Sequence, residues 1–171
     1  MNTSEAITDL LGRAFDGFSA TALEERVQEL IDREEIRELV ARYAQRVARR
    51  QSMADMFTDD GAFVVHMPDQ PVQVARGREQ LQKAFAAAVS SPALNMPAVH
   101  NQVISISGNE ALATSWIELH GLDGKQRKFV GCGYYEDRLR RENGRWKFVV
   151  REANVLVTGS EPPAARYAGA K

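Results

Sequence analysis

Disulfide partners, long apolar runs and net charge are all scarce in this chain of 171 residues, which has one cysteine and a formal charge of -1. A single thiol, Cys132, rules out an intrachain disulfide and suits a reducing compartment, so a cytoplasmic protein is expected. Cys132 lies in Val130-Gly131-Cys132-Gly133-Tyr134, which reads as strand. A buried inert thiol is therefore expected there, not a nucleophile. The longest fully apolar stretch, Ala84–Val89, is too short to cross a bilayer. Met1-Asn2-Thr3-Ser4-Glu5 has neither the basic start nor the apolar run of a leader. The charge balance argues against nucleic acid, because phosphate binding needs a clustered positive excess. The richest basic stretch, Arg42, Arg46, Arg49 and Arg50, shares its helix with Glu34, Glu35 and Glu38. Glu38 and Arg42 stand at the pairing distance of a solvated helix face. Neither a membrane nor nucleic acid is expected as a partner.

Familiar catalytic motifs are missing too. There is no Gly-x-Ser-x-Gly elbow, no phosphate-binding loop and no dinucleotide fingerprint. Gly131-Cys132-Gly133 lacks a third glycine and falls inside a strand. His66, His100 and His120 are far apart, without the helical spacing of a ligand pair. No metal and no cofactor are expected.

What is present is a sequence of elements. Ile7, Leu10, Leu11, Ala14, Phe15 and Phe18 recur at helical spacing, so residues 1–21 read as an amphipathic extension. Thr21 followed by Glu24 resembles a capping box. It opens a helix from about Ala22 to about Arg50, kinked or split near Asp32, whose inner stripe is Val27, Leu30, Ile31, Ile36, Leu39, Val40, Tyr43 and Val47. A short helix over Ser52–Phe57 is expected to stop at Asp59-Asp60-Gly61. Strands then follow at Ala62–Met67 and Val72–Ala75, and a helix at Arg78–Val89. Four longer β runs come next: Val99–Ile106, Ala111–His120, Arg127–Arg140 and Arg145–Val157, the last two joined by the hairpin signal Asn143-Gly144. Helices first and a meander later predict a segregated α+β domain over 22–158, with a tail over 159–171.

Strand alternation groups the candidate site residues. His100, Gln102, Ile104 and Ile106 are predicted to share one face, and Trp116, Glu118 and His120 another. An imidazole among apolar residues is either a hydrogen-bonded core group or a general base in an apolar cavity. Tyr43 is likewise either a core aromatic or a proton donor.

Several pieces in order resemble the SnoaL-like group of the nuclear transport factor 2-like superfamily over about residues 22–157. They are Arg42-Tyr43-Ala44, Met56 before Phe57-Thr58-Asp59-Asp60-Gly61, Gly77-Arg78-Glu79, Val99-His100-Asn101, Ala113–Trp116, Gly133-Tyr134-Tyr135 and Asn143-Gly144-Arg145-Trp146. The resemblance implies a cystatin-like cone, with helices on a strongly curved, mostly antiparallel sheet around an apolar pocket. In the family's dehydratase-like members a histidine abstracts a proton, and an aspartate five residues after a helix tyrosine orients it. By that resemblance Tyr43 is the tyrosine and His100 the base, but Ala48 stands where the aspartate belongs. An imidazole without its carboxylate loses tautomer control and charge stabilisation. His120, Glu118 and Asn154 are the candidate replacements, with Asn154 beside Trp116.

Two functions follow from this. One is a cofactor-independent lyase or isomerase of dehydratase or cyclase type, acting on a small apolar cyclic substrate, with His100 as base and Tyr43, His120 or Asn154 as hydrogen-bonding partners. The other is a non-catalytic small-molecule-binding or assembly subunit of the same fold. Under either, a homodimer or higher homo-oligomer is expected.

Overall fold

The computed structural model describes residues 20–123, 125 and 128–160. The apolar stripe of residues 7–18 and residues 161–171 lie outside them. The chain divides into two compact units, 1–32 and 33–171, and the division falls inside a helix, α1 (Ala20–Ala48). In the first unit Leu23, Val27, Leu30 and Ile31 are exposed, Leu30 by 66%. Helical spacing shows which residues share a face; it does not show that the face is covered.

The second unit is α+β, as expected. Ile36, Val40 and Tyr43 recur every three or four residues and are fully buried, with Leu39 and Val47 packed beside them. The helix ends without glycine. Arg50 takes a left-handed φ of 55°, its N–H reaches the Val47 carbonyl and that of Gln51 reaches Arg46. These two bonds satisfy carbonyls that the last helical turn would otherwise leave open. The Arg50 side chain holds the unusual conformation by donating to the carbonyls of Pro92 and Ala93.

A 3-10 turn, Ala54–Met56, replaces the expected short helix and leads into β1 (Phe57–His66), β2 (Gln73–Arg76) and a helix, α2 (Gly77–Ser90). Strands β3 (Leu94–Ser107), β4 (Glu110–Leu122), β5 (Lys128–Glu142) and β6 (Arg145–Ser160) complete one curled, unclosed sheet in the order β2-β1-β6-β5-β4-β3. Every pairing is antiparallel except β1 with β6. At the β5–β6 turn Asn143 and Gly144 both have positive φ, 52° and 75°. That is the conformation a two-residue hairpin requires.

Two local irregularities depart from the sequence reading. Asp59-Asp60-Gly61 does not stop the chain but bulges within β1, where the register against β6 shifts between Phe57 and Ala62. Gly61 is there because a Cβ would lie 2.9 Å from the Thr58 carbonyl oxygen and 3.2 Å from that of Phe148. A second bulge interrupts β3 between His100 and Val103, with Asn101 at a left-handed φ of 54°. The extra residue reverses the alternation, so His100 does not share a face with Ile104 and Ile106.

Candidate functional site

The concave side of the sheet, α1 and α2 surround a cavity of about 480 Å³. Val47 and Tyr43 come to it from α1, Phe63, Val65 and Met67 from β1, and Ala84, Phe85 and Ala88 from α2. Pro97, Ile117, Leu119, Tyr135, Ala153 and Val155 supply the sheet wall. Its polar groups are few: the Tyr43 and Tyr135 phenols, and Gln73, Asn95 and Thr158 near the strand ends. A mostly apolar wall with a few polar groups is the common pattern of a small-molecule site.

Behind two of the lining residues, Tyr43 and Tyr135, lies a buried ion pair. Arg151 and Asp137 lie directly across the β5–β6 register, and neither side chain has any solvent exposure. Arg151 Nη2 donates to Asp137 Oδ2 at 3.2 Å, and Nε lies 3.0 Å from Oδ1 without the alignment of a hydrogen bond. Aromatic faces take up the rest of the cation. The guanidinium carbon sits 3.9 Å from the Tyr135 ring centre, 4.2 Å from Tyr43 and 4.4 Å from Phe148. Ring faces carry negative potential, so they partly replace the water this cation has lost.

Burial pushes the Asp137 carboxyl up to about 6, against the opposing pull of Arg151. Both phenols are raised above their ordinary value, first by burial. Arg151 pulls both down and Asp137 pushes both up, and no hydrogen bond contributes to either shift. Both hydroxyls therefore stay protonated at neutral pH as donors.

Of the residues the sequence singled out, only Tyr43 lines this cavity. His100, Trp116, Glu118, His120 and Asn154 are brought together on the opposite face. They alternate with the lining residues Ile117, Leu119, Ala153 and Val155, which fixes their direction. One row runs across the sheet in register as His100, Trp116, Tyr134, Asn154 and His66. His100 is 43% exposed and its Nε2 lies 3.7 Å from Glu118 Oε1; His120 Nε2 lies 3.7 Å from Oε2. Trp116 is 47% exposed. Ala48 ends α1 and its neighbour Val47, not Ala48, reaches the cavity. Among the described residues no group of three or more His, Cys, Asp or Glu is placed to hold a metal ion. None of their helices is long and apolar enough to cross a membrane.

Tyr135, Arg151 and Asp137 were missed. A signal for the correct face was present in β4, where Ala111, Ala113, Ile117 and Leu119 alternate and so mark the odd positions as inward. Nothing in sequence marks a buried arginine, since arginine is among the residues least often fully buried.

The pattern of the SnoaL-like domain matches residues 28–152. No curated protein matches the chain. Among solved structures, a Novosphingobium aromaticivorans protein provisionally named a scytalone dehydratase is 21% identical, with 84% of this chain and 97% of that one covered and a TM-score of 0.69. A type 2 hexachlorocyclohexane dehydrochlorinase is 16% identical, covering 81% of this chain and 99% of its own, with a TM-score of 0.70. The provisionally named β subunit of an aromatic-ring-hydroxylating dioxygenase, also from Novosphingobium aromaticivorans, is 15% identical over 74% of this chain and 90% of its own, with a TM-score of 0.63. At these identities the likeness is one of fold.

Proposed function

This chain belongs to the SnoaL-like domain family, and we propose that its cavity receives a small, largely apolar cyclic compound for cofactor-independent chemistry of the lyase or isomerase kind. Tyr43 and Tyr135 donate to the compound's oxygen. The observation that carries this reading is a cavity of apolar walls with two buried, protonated phenols among its lining residues. Donors held in a dry site stabilise negative charge developing on a carbonyl or departing hydroxyl oxygen far better than they would in water. Two of the similar folds carry the names of a dehydratase and a dehydrochlorinase, which are eliminations.

The role of base does not pass to His100 in this reading, because the imidazole is on the other face of β3. No carboxylate, imidazole, amine or thiol lines the cavity among the described residues. A reaction here takes its proton acceptor from water or from the compound, and the protein's part is electrophilic. The same observation favours a second reading, a non-catalytic binding subunit, and one similar fold is named as a dioxygenase β subunit.

The test is a panel of mono- and bicyclic ketones and hydroxyketones, with binding followed by calorimetry and product by mass spectrometry. Tyr43→Phe and Tyr135→Phe should each weaken ketone binding by about two- to tenfold, the loss of one hydrogen bond of about 0.5–1.5 kcal/mol. Turnover that these variants reduce more than binding supports the lyase or isomerase reading. Binding with no turnover selects the second reading, and failure of every compound to bind rejects both.

A further inference from the structure

Arg151 and Asp137 touch no solvent, yet Arg151 sits against the two phenols that line the cavity. A cation 3.9 and 4.2 Å from the two phenol rings, with a carboxylate bonded to it from the same side of the sheet, is more than is needed to fill a core. Apolar residues of the same volume would do that without losing the hydration of two ions. The charges that bear on the phenols are the pair and the phenols themselves: Tyr43 on α1, Tyr135 and Asp137 on β5, and Arg151 on β6.

We propose that the Arg151–Asp137 pair sets how strongly Tyr43 and Tyr135 donate, and so selects ligands that carry or develop negative charge on oxygen, such as enolates and phenolates, over neutral apolar compounds of the same shape. This rests on the cavity being the binding site, as argued above. Neither residue touches the ligand; both act through the phenols and are positioning residues. The two charges act in opposite senses. Arg151 draws electron density from the phenols and makes them better donors, whereas Asp137 offsets part of that effect.

The opposition in sign gives a test that mere packing does not pass. The probe is 4-nitrophenol, whose absorbance reports its ionisation when bound, with 4-nitroanisole as the neutral control. At about pH 7.5 Asp137 is ionised, since its carboxyl is pushed up only to about 6. Arg151→Met should lower the anion-to-neutral ratio of bound probe by about tenfold, one unit of ionisation equilibrium. Asp137→Asn should raise that ratio by a similar factor, and Arg151→Lys should stay near the native protein. Affinity for 4-nitroanisole should change by less than about twofold in all three. If both pair-breaking variants move the ratio the same way, or neither moves it, the pair is structural and the proposal falls. Where Arg151→Met does not fold, the near-isosteric Asp137→Asn decides alone, because a packing defect gives no rise. Native protein that binds neither probe sinks the cavity reading itself, an outcome distinct from the first.

Discussion

A guanidinium with no solvent exposure has lost its hydration on every side, and Arg151 has one carboxylate and three rings around it, while its Nε and Nη1 make no hydrogen bond. Breaking such a pair from one side leaves an uncompensated buried charge, at a cost of about 3–5 kcal/mol. Arg151→Met is expected to lose stability of that order in chemical denaturation, and a loss under about 1 kcal/mol would contradict the picture. Asp137 adds a pH signature of unusual sign. Its carboxyl ionises near 3.9 when unfolded but is pushed up to about 6 in the fold. Between those values the folded chain holds a proton that the unfolded chain has released. Its contribution is thus whole below the lower value and lost as pH rises through the upper one. The stability of the native protein relative to Asp137→Asn should fall between about pH 4 and pH 7; a constant difference would remove Asp137 from the account.

At the scale of elements, bulges govern which side chains meet. The β3 bulge at Asn101 and Gln102 turns His100 outward while Pro97 and Ile104 stay inward. On β5 the register against β6 shifts between Cys132 and Gly133, and a Cβ on Gly133 would run into the Asn154 carbonyl. Gly133→Ala is therefore expected to destabilise by about 1–3 kcal/mol through strain, measured by thermal or chemical unfolding. No loss would mean that β6 can yield at this point. Hairpin, strands and helix stripes were readable because each depends on local chemistry: turn residues, alternation, a period of 3.6. A bulge is one inserted residue whose position follows from both paired strands. Alternation counted along a single strand therefore went wrong past Asn101.

For the whole molecule, the face opposite the cavity exposes Val103, Leu112, Trp116 and Val157 among His100, His120, Glu118 and Glu152. Large apolar side chains gathered on one exposed sheet face favour association, and a homodimer or higher homo-oligomer is the outcome to expect. Light scattering coupled to size exclusion would reject it by showing only a species of 19.0 kDa. In that arrangement the residues that looked catalytic from sequence lie at an interface, on the face opposite the residues that line the cavity.

By itself the sequence determined the α+β class, the order of helices and strands and the family, because those follow from local periodicity and turn chemistry. It also placed Tyr43 on the buried stripe of α1. Only the tertiary structure decided that His100 faces away from Tyr43, that Tyr135 completes the pair of phenols, and that Arg151 and Asp137 meet beneath them. The physical reason is that a side chain's surroundings depend on register and curvature across several strands, and no single segment carries that information.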